Sequence, residues 1–448
     1  MKIFILISGL ILSSCQTVII PEKEIQYTLN QHLSTNLVTT KNKLPQKLSL
    51  YLAKKMAIKG NPSIAAAGQR IHRAKAIIEQ AQAAFSPTLN ARGGIAHQHL
   101  SPRTSFRTGQ TDTYSAGLSA SWLIYDGLIR RHQLLAASYS KISSQEDFND
   151  VKRLLLGSVA TAYFETMLAY QQMAINLELK KINEKFLRDS KVKFNGGTVA
   201  KTEVDNFLVN VNDSQISYLD SKNTFETAKM ALVELIGLPG IKTDGFTPVF
   251  DKMDIAIPKL TTAINIALNK RPDLKALQAN ILSVQAQEKQ AEGGYLPTVS
   301  LGAEYGVQAL NHFRFGDNTR NASVALNINW SLYSGGTAAA TIRQRKAESK
   351  ELLATLSSRW NDIISQIRQQ CQSLQNTLAR LEVQKQTVNL NKSIYSDTQE
   401  IYRNGATTIT RVNEVLTNYT VSRLNQALFE IEARRRQEIL KSLMGTNE

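Results

Sequence analysis

The sequence predicts an α+β membrane protein made of a duplicated half. Each half carries two strands of membrane length and one long coiled-coil helical hairpin. Three observations lead there. Five short motifs recur in the same order at an offset of 208 to 210 residues. Segments of about 11 residues alternate apolar and small or polar side chains ahead of each hairpin. Two stretches of 68 residues contain no Pro and, between them, a single Gly, Gly157.

Composition sets the outer bounds. The chain has 448 residues, 42 % hydrophobic and 20 % charged, enough apolar material for a core. Lys plus Arg exceeds Asp plus Glu by 16, a balance that suits nucleic acid or an anionic membrane surface. Only Cys15 and Cys371 occur, which excludes a disulfide framework and a Cys-based zinc site. The 23 Gly and 10 Pro exclude collagen-like and low-complexity classes. No run of 18 apolar residues exists.

The first 14 residues read as a secretory signal peptide: Lys2, an apolar Ile3 to Leu12, then Ser13-Ser14. Leu12-Ser13-Ser14-Cys15 resembles the bacterial lipoprotein cleavage box. That likeness implies that Cys15 becomes the first mature residue and carries lipid, tethering the chain to a bilayer. Gln16, in place of Asp, implies outer-membrane sorting. The alternative is an ordinary signal peptide with an incidental Cys. On either reading the chain leaves the cytoplasm, which argues against a nucleic-acid partner. Residues 15–47 then form a lipidated linker, 48–240 the first repeat, 241–258 a linker and 259–448 the second repeat.

The duplication is carried by paired motifs. Phe85-Ser86-Pro87-Thr88-Leu89 returns as Tyr295-Leu296-Pro297-Thr298-Val299, and Asn61-Pro62 as Arg271-Pro272. Trp122-Leu123-Ile124-Tyr125-Asp126-Gly127 returns as Trp330-Ser331-Leu332-Tyr333-Ser334-Gly335. Phe194 to Thr198 matches Tyr402 to Ala406, and Leu235-Ile236-Gly237 matches Leu443-Met444-Gly445. The period is too long for a solenoid unit.

Each half opens with a helix starting at Pro62 or Pro272, where Pro fits the first turn. Strands follow at Thr88 to Gln98, Tyr114 to Ile124, Val299 to Gln308 and Ala322 to Leu332. One face of the second reads Tyr114, Ala116, Leu118, Ala120, Trp122, Ile124, against Ser115, Gly117, Ser119, Ser121. Alternation of that length with a terminal Trp fits a barrel strand with an aromatic girdle, or else a half-buried sheet in a soluble domain. The 68-residue stretches would each reach roughly 100 Å as unbroken helix. Leu128, Leu135, Ile142, Leu156, Tyr163, Tyr170 and Leu177 share a seven-residue spacing broken only at Asn149, as do Val204, Val211, Tyr218, Phe225 and Leu232. Such heptads mark a left-handed coiled coil. Gly196-Gly197 and Asn404-Gly405 are the hairpin turns. Four strands cannot close a barrel, and an open edge cannot sit in lipid, so membrane strands here require several copies of the chain.

From about Leu48 to Gly445 the chain resembles the TolC family of outer-membrane exit ducts. The likeness rests on the duplication, Pro87 and Pro297 at strand starts, Trp-x-x-Tyr-x-Gly at Trp122 and Trp330, and the Gly197 to Val204 and Gly405 to Val412 turns. It implies a homotrimer with one 12-stranded β-barrel, a periplasmic α-helical tunnel, and docking to a periplasmic adaptor protein and an inner-membrane transporter. The implied function is passive conduction of drugs, ions or polypeptides to the exterior. The lipoprotein signal resembles the drug-efflux branch, while the hairpins are also compatible with type I secretion. The family's gate residues fall at Tyr402, Thr407, Arg411 and Glu414 on the inner hairpin and at Thr202 and Glu203 on the outer one. Two positions depart from the family: Thr407 stands for an Arg, and Arg411 for an Asp. Arg411 has Glu203 and Glu414 as alternative partners, and solvated tip residues are the plain alternative to a gate.

No Gly-rich phosphate loop, His-Glu-x-x-His or Gly-x-Ser-x-Gly is present, so neither an enzyme nor a cofactor is expected. His97 and His99 share a strand face without an obvious carboxylate neighbour and read as a rim pair rather than a metal site. Cys371 reads as packed mid-helix. Arg103, Arg107, Arg314 and Arg320 fall in presumed external loops, facing outer-membrane lipid headgroups or solvent. The rival architecture is a lipid-tethered periplasmic coiled-coil scaffold with a small soluble sheet. It accounts for the signal and the heptads but not for the duplicated two-faced strands.

Overall fold

The computed structural model describes residues 44–100, 109–238, 246–249 and 255–447. The signal peptide, Cys15, most of the 15–47 and 241–258 linkers, Arg103 and Arg107 lie outside the described residues.

Each half begins with two helices rather than one. Helix α1 (Leu50–Gly60) runs into α2 (Pro62–Ala83), and α5 (Leu260–Lys270) runs into α6 (Pro272–Glu292). The break falls at Asn61 and Arg271, both extended, because a residue before Pro is pushed out of the helical region. The same two residues tie each half together. Asn61 Nδ2 donates to the Leu235 carbonyl at 2.9 Å, and an Arg271 guanidinium N–H donates to the Leu443 carbonyl at 3.3 Å. Leu235 and Leu443 are themselves repeat equivalents.

The long helices are continuous: α3 (Ile129–Asn195) and α7 (Thr337–Arg403) have 67 residues each, their partners α4 (Lys201–Ile236) and α8 (Ile409–Leu443) 36 and 35. The Gly157 position in α3 lets the Ser442 side chain approach to 3.0 Å of where a Cβ would stand. The first half's core gathers Leu48, Val159, Tyr163, Leu232 and Ile236, the second half's Leu274, Ile363, Ile367, Leu374 and Leu440. A two-residue parallel pair, β1 (Lys47–Leu48) with β4 (Thr247–Pro248), is pinned by the Tyr163 hydroxyl, 3.0 Å from the Leu48 carbonyl and 2.6 Å from that of Val249. Cys371 is half-buried against the second core, and burial pushes its thiol up.

The heptad seams divide by height. Leu156 and Tyr163 are buried, whereas Leu128, Leu135 and Ile142 at the start of α3 are 44, 42 and 48 % exposed. The upper seam is therefore only about half covered by the described residues of one chain.

Strands β2 (Thr88–Leu100), β3 (Gly109–Tyr125), β5 (Thr298–Leu310) and β6 (Arg320–Asn329) form an antiparallel sheet in the order β2-β3-β5-β6. Strand β3 is longer than its alternating stretch, and β6 stops at Asn329, short of Trp330 and Leu332. The register aligns the period-two patterns of all four strands. Across one row, Ala91 faces Leu118, Leu118 faces Tyr305 and Tyr305 faces Ala322. Across the next, Arg92 faces Gly117, Gly117 faces Gly306 and Gly306 faces Asn321. One face is thus apolar over most of its length, with His97, Asp112 and Arg320 at its loop end, and the other mostly polar or bare, since successive side chains point to opposite sides. On the apolar face Leu89, Val324 and Ile328 are 73, 75 and 69 % exposed. His97 is not isolated: its Nδ1 lies 2.6 Å from Asp112 on the neighbouring strand, paired across the ladder. No group of three potential metal ligands forms among the described residues.

Strand gives way to helix at two equivalent elbows. Trp122 Nε1 donates to the Phe85 carbonyl at 3.0 Å, and Trp330 Nε1 to the Tyr295 carbonyl at 3.0 Å. Both elbows need two consecutive left-handed residues: Gly127-Leu128 (φ 68° and 68°) in the first half and Gly335-Gly336 (φ 64° and 83°) in the second. The first elbow holds Leu128 there with a buried ion pair, Arg130 Nε to Asp126 at 2.9 Å, and Arg130 also donates to the Ala84 carbonyl at 2.9 Å. The second half has Ser334 and Ala338 at the equivalent positions.

Candidate functional site

The far ends of the two hairpins meet in a compact tip. Helix α3 ends at Gly196, which is helical (φ −83°), and the chain reverses through Gly197 at φ 73°. Gly405 plays the same part after α7, at φ 74°. At neither Gly197 nor Gly405 would a Cβ meet an atom within 4 Å, so the backbone angle alone selects glycine.

Between the hairpins lies an apolar plug of Phe186, Phe207, Tyr402, Val412 and Leu416. Phe186 stacks on Phe207 with centroids 5.4 Å apart and meets Tyr402 edge-on at 6.5 Å. Lys193 Nζ sits 4.5 Å from the Tyr402 ring centroid, over the negative face of the ring. The Tyr402 hydroxyl donates to Glu203, joining the inner hairpin to the outer one. Burial, then the hydrogen bond and charge of Glu203 and the charge of Asp189, push that hydroxyl well above the usual tyrosine range.

The structure therefore brings together Tyr402 and Glu203 in one bond, and separately Arg411 and Glu414 in another. Arg411 pairs with Glu414 at 2.8 Å, one helical turn away, and not with Glu203. Both partners are half exposed, and the start of α8 is capped by Thr408, whose hydroxyl accepts from the Arg411 N–H at 3.4 Å. Thr202 is exposed and Thr407 half-buried. Neither side chain makes a hydrogen bond among the described residues. Phe186, Phe207 and Lys193 were not singled out from sequence. A signal for Phe207 existed, because it stands three residues after the heptad position Val204 and so completes an a/d pair.

Comparison with known proteins agrees with this architecture. The family model described as outer membrane efflux protein matches residues 54–238 and 263–446. The pyoverdine export outer membrane protein OpmQ of Pseudomonas putida is 24 % identical over 324 residues, covering 71 % of this chain and 67 % of that protein. Outer membrane protein TolC of Escherichia coli is 23 % identical over 392 residues, covering 83 % and 77 %. The crystal structure of the Campylobacter jejuni CmeC outer membrane channel superposes with a TM-score of 0.77 at 16 % identity, covering 89 % of this chain and 86 % of that one.

Proposed function

The chain belongs to the outer membrane efflux protein family, and from that premise we propose that it is the exit duct of a tripartite efflux or type I secretion system. Three copies would pool their strands into one 12-stranded barrel and their hairpins into one periplasmic tunnel. The observation that carries this reading is the sheet. Its apolar face is what lipid requires, and its edges, β2 and β6, are unpaired among the described residues. An unpaired edge in hydrocarbon costs several kcal/mol per backbone group, of order what only pairing with another copy removes. The exposed upper seam of Leu128, Leu135 and Ile142 asks for the same neighbour.

On this reading the tip is the gate. Tyr402 and Glu203 latch the inner hairpin against the outer one and define a closed state. Arg411 and Glu414 form a balanced pair in each copy instead of a carboxylate ring. Thr202, which is exposed, and Thr407, which is half-buried, would be open to a hydrogen bond from a neighbouring copy or an adaptor. The turns at Gly196, Gly197 and Gly405 are the ends offered to a periplasmic adaptor, through which an inner-membrane transporter loads cargo. The duct supplies a passage and no energy. Lipid on Cys15 would anchor the chain beside its barrel.

Native mass spectrometry of the protein extracted in mild detergent tests the proposal. The expected mass is three mature chains, each carrying lipid at Cys15, with single-channel currents after reconstitution. A monomer or dimer that leaves the membrane without detergent would overturn it.

A further inference from the structure

The polar face of the sheet is nearly free of charge. Among its described positions, Arg92 on β2 and Glu304 on β5 are the two charged side chains; the rest are Asn, Gln, Ser, Thr, Gly, Ala and Leu. These two do not lie apart. An Arg92 guanidinium nitrogen is 2.6 Å from Glu304 Oε1, reaching over β3, the strand between them. The side chains are 66 and 60 % exposed.

The strand beneath them is cleared for that reach. Arg92 stands opposite Gly117 and Glu304 opposite Ser119. A Cβ at Gly117 would lie 3.0 Å from the Tyr305 carbonyl oxygen, and one at Gly306 would lie 3.3 Å from that of Ala116. The glycines leave a notch of 310 Å³ with Arg92, Glu304, Gln308 and Asn321 around it. An ion pair this exposed adds little to stability, so stability does not explain it.

We propose that Arg92 and Glu304 are the charge-balancing pair of the barrel lumen, and that their pairing makes the exit path indifferent to the sign of a passing solute. The inference rests on the duct reading. A lumen with low-dielectric walls magnifies any uncompensated charge, and each charge is repeated in every copy. Held 2.6 Å apart, the two signs cancel for a solute passing farther away. With one removed, the other becomes a ring of like charge at mid-barrel.

The test is the reversal potential of the full-length lipidated protein in planar bilayers under a salt gradient. It is read in a Tyr402→Phe background so that a closed tip does not set the selectivity. Arg92→Gln should shift selectivity toward cations and Glu304→Gln toward anions. The double variant Arg92→Gln/Glu304→Gln should return to the parent value. A conducting parent with single variants that leave the reversal potential unmoved, or move it in the same direction, overturns the inference and leaves the duct standing. A parent that inserts but carries no current overturns the duct reading, and this inference with it.

Discussion

The Tyr402 hydroxyl donates its proton to the Glu203 carboxylate across 199 positions of sequence, and that bond joins the two hairpins where they meet. A hydrogen bond to a charged acceptor is worth about 1.5 kcal/mol or more, roughly tenfold in an equilibrium constant. Tyr402→Phe keeps the ring in its contact with Phe186 and removes only the proton. It should raise the open fraction of single-channel recordings by about that factor, with thermal stability nearly unchanged. Glu203→Gln should do the same in smaller measure. Conductance traces indistinguishable from the parent would remove the latch from the gating account.

The same hydroxyl sets a pH window. Its pKa lies above the ordinary 10.0, so the latch is fully present below pH 10 and is lost only as pH rises beyond that value. In an alkaline ultraviolet titration Tyr402 should ionise after the exposed tyrosines, in a late component shared with Tyr395, whose hydroxyl burial also pushes up. That late component should shrink in Tyr402→Phe, leaving the share of Tyr395.

Arg411→Asp converts the Arg411–Glu414 ion pair into two carboxylates one helical turn apart. The variant should shift the reversal potential of the duct toward cations and make its current sensitive to multivalent cations. An unchanged reversal potential would place Arg411 away from the conducting path.

At the elbows, Trp122→Phe and Trp330→Phe each delete one indole donor from equivalent 3.0 Å bonds. Each should lower thermal stability by a similar amount, about 1 kcal/mol. Leu128→Gly relieves a left-handed leucine that costs on the order of 1 kcal/mol and should be tolerated. Gly127→Ala should be severe, because its Cβ would stand 2.6 Å from the Gly293 carbonyl oxygen at φ 68°. Calorimetry of the four variants in detergent gives the comparison.

Glu438 supplies an acid-side prediction. It is 3 % exposed and accepts from Lys54 and Lys441, both at 2.7 Å. Burial raises its pKa, but the hydrogen bonds and charges of Lys441 and Lys54 more than offset it, so the carboxyl is held below its ordinary 4.5. Its contribution is present above pH 4.5 and drains away as pH falls through the lowered value. Glu438→Gln should reduce stability at neutral pH and flatten that acid limb, as read by melting temperature against pH.

The sequence made the long helices plain because 68 residues without Pro leave few other choices, and the strands were plain wherever a strict alternation marked them. Helices α1 and α5 are not marked in the sequence as separate elements, because each has only 11 residues and ends at an X-Pro step. The end of β6 is not legible in the sequence, because Trp330 and Leu332 keep the alternation after the ladder has stopped. At the tip, the local chain marks the turns but not the partners. Whether Arg411 reaches Glu203 or Glu414 depends on how two hairpins are set against each other, and no short-range pattern records that. The Asp112 partner of His97 was hidden for the same reason, since it comes from the neighbouring strand.

The sheet has β2 at one edge and β6 at the other, so in the proposed trimer each copy would offer two different borders and join its neighbours head to tail. A ring of that kind has no spare member. If the ring has the three members proposed, then in a cell making equal amounts of a sound chain and one with a ruined β6, random assembly would leave about one trimer in eight with only sound chains. Loss-of-function alleles confined to the strands should therefore behave as dominant, whereas alleles that prevent export of the chain should be recessive.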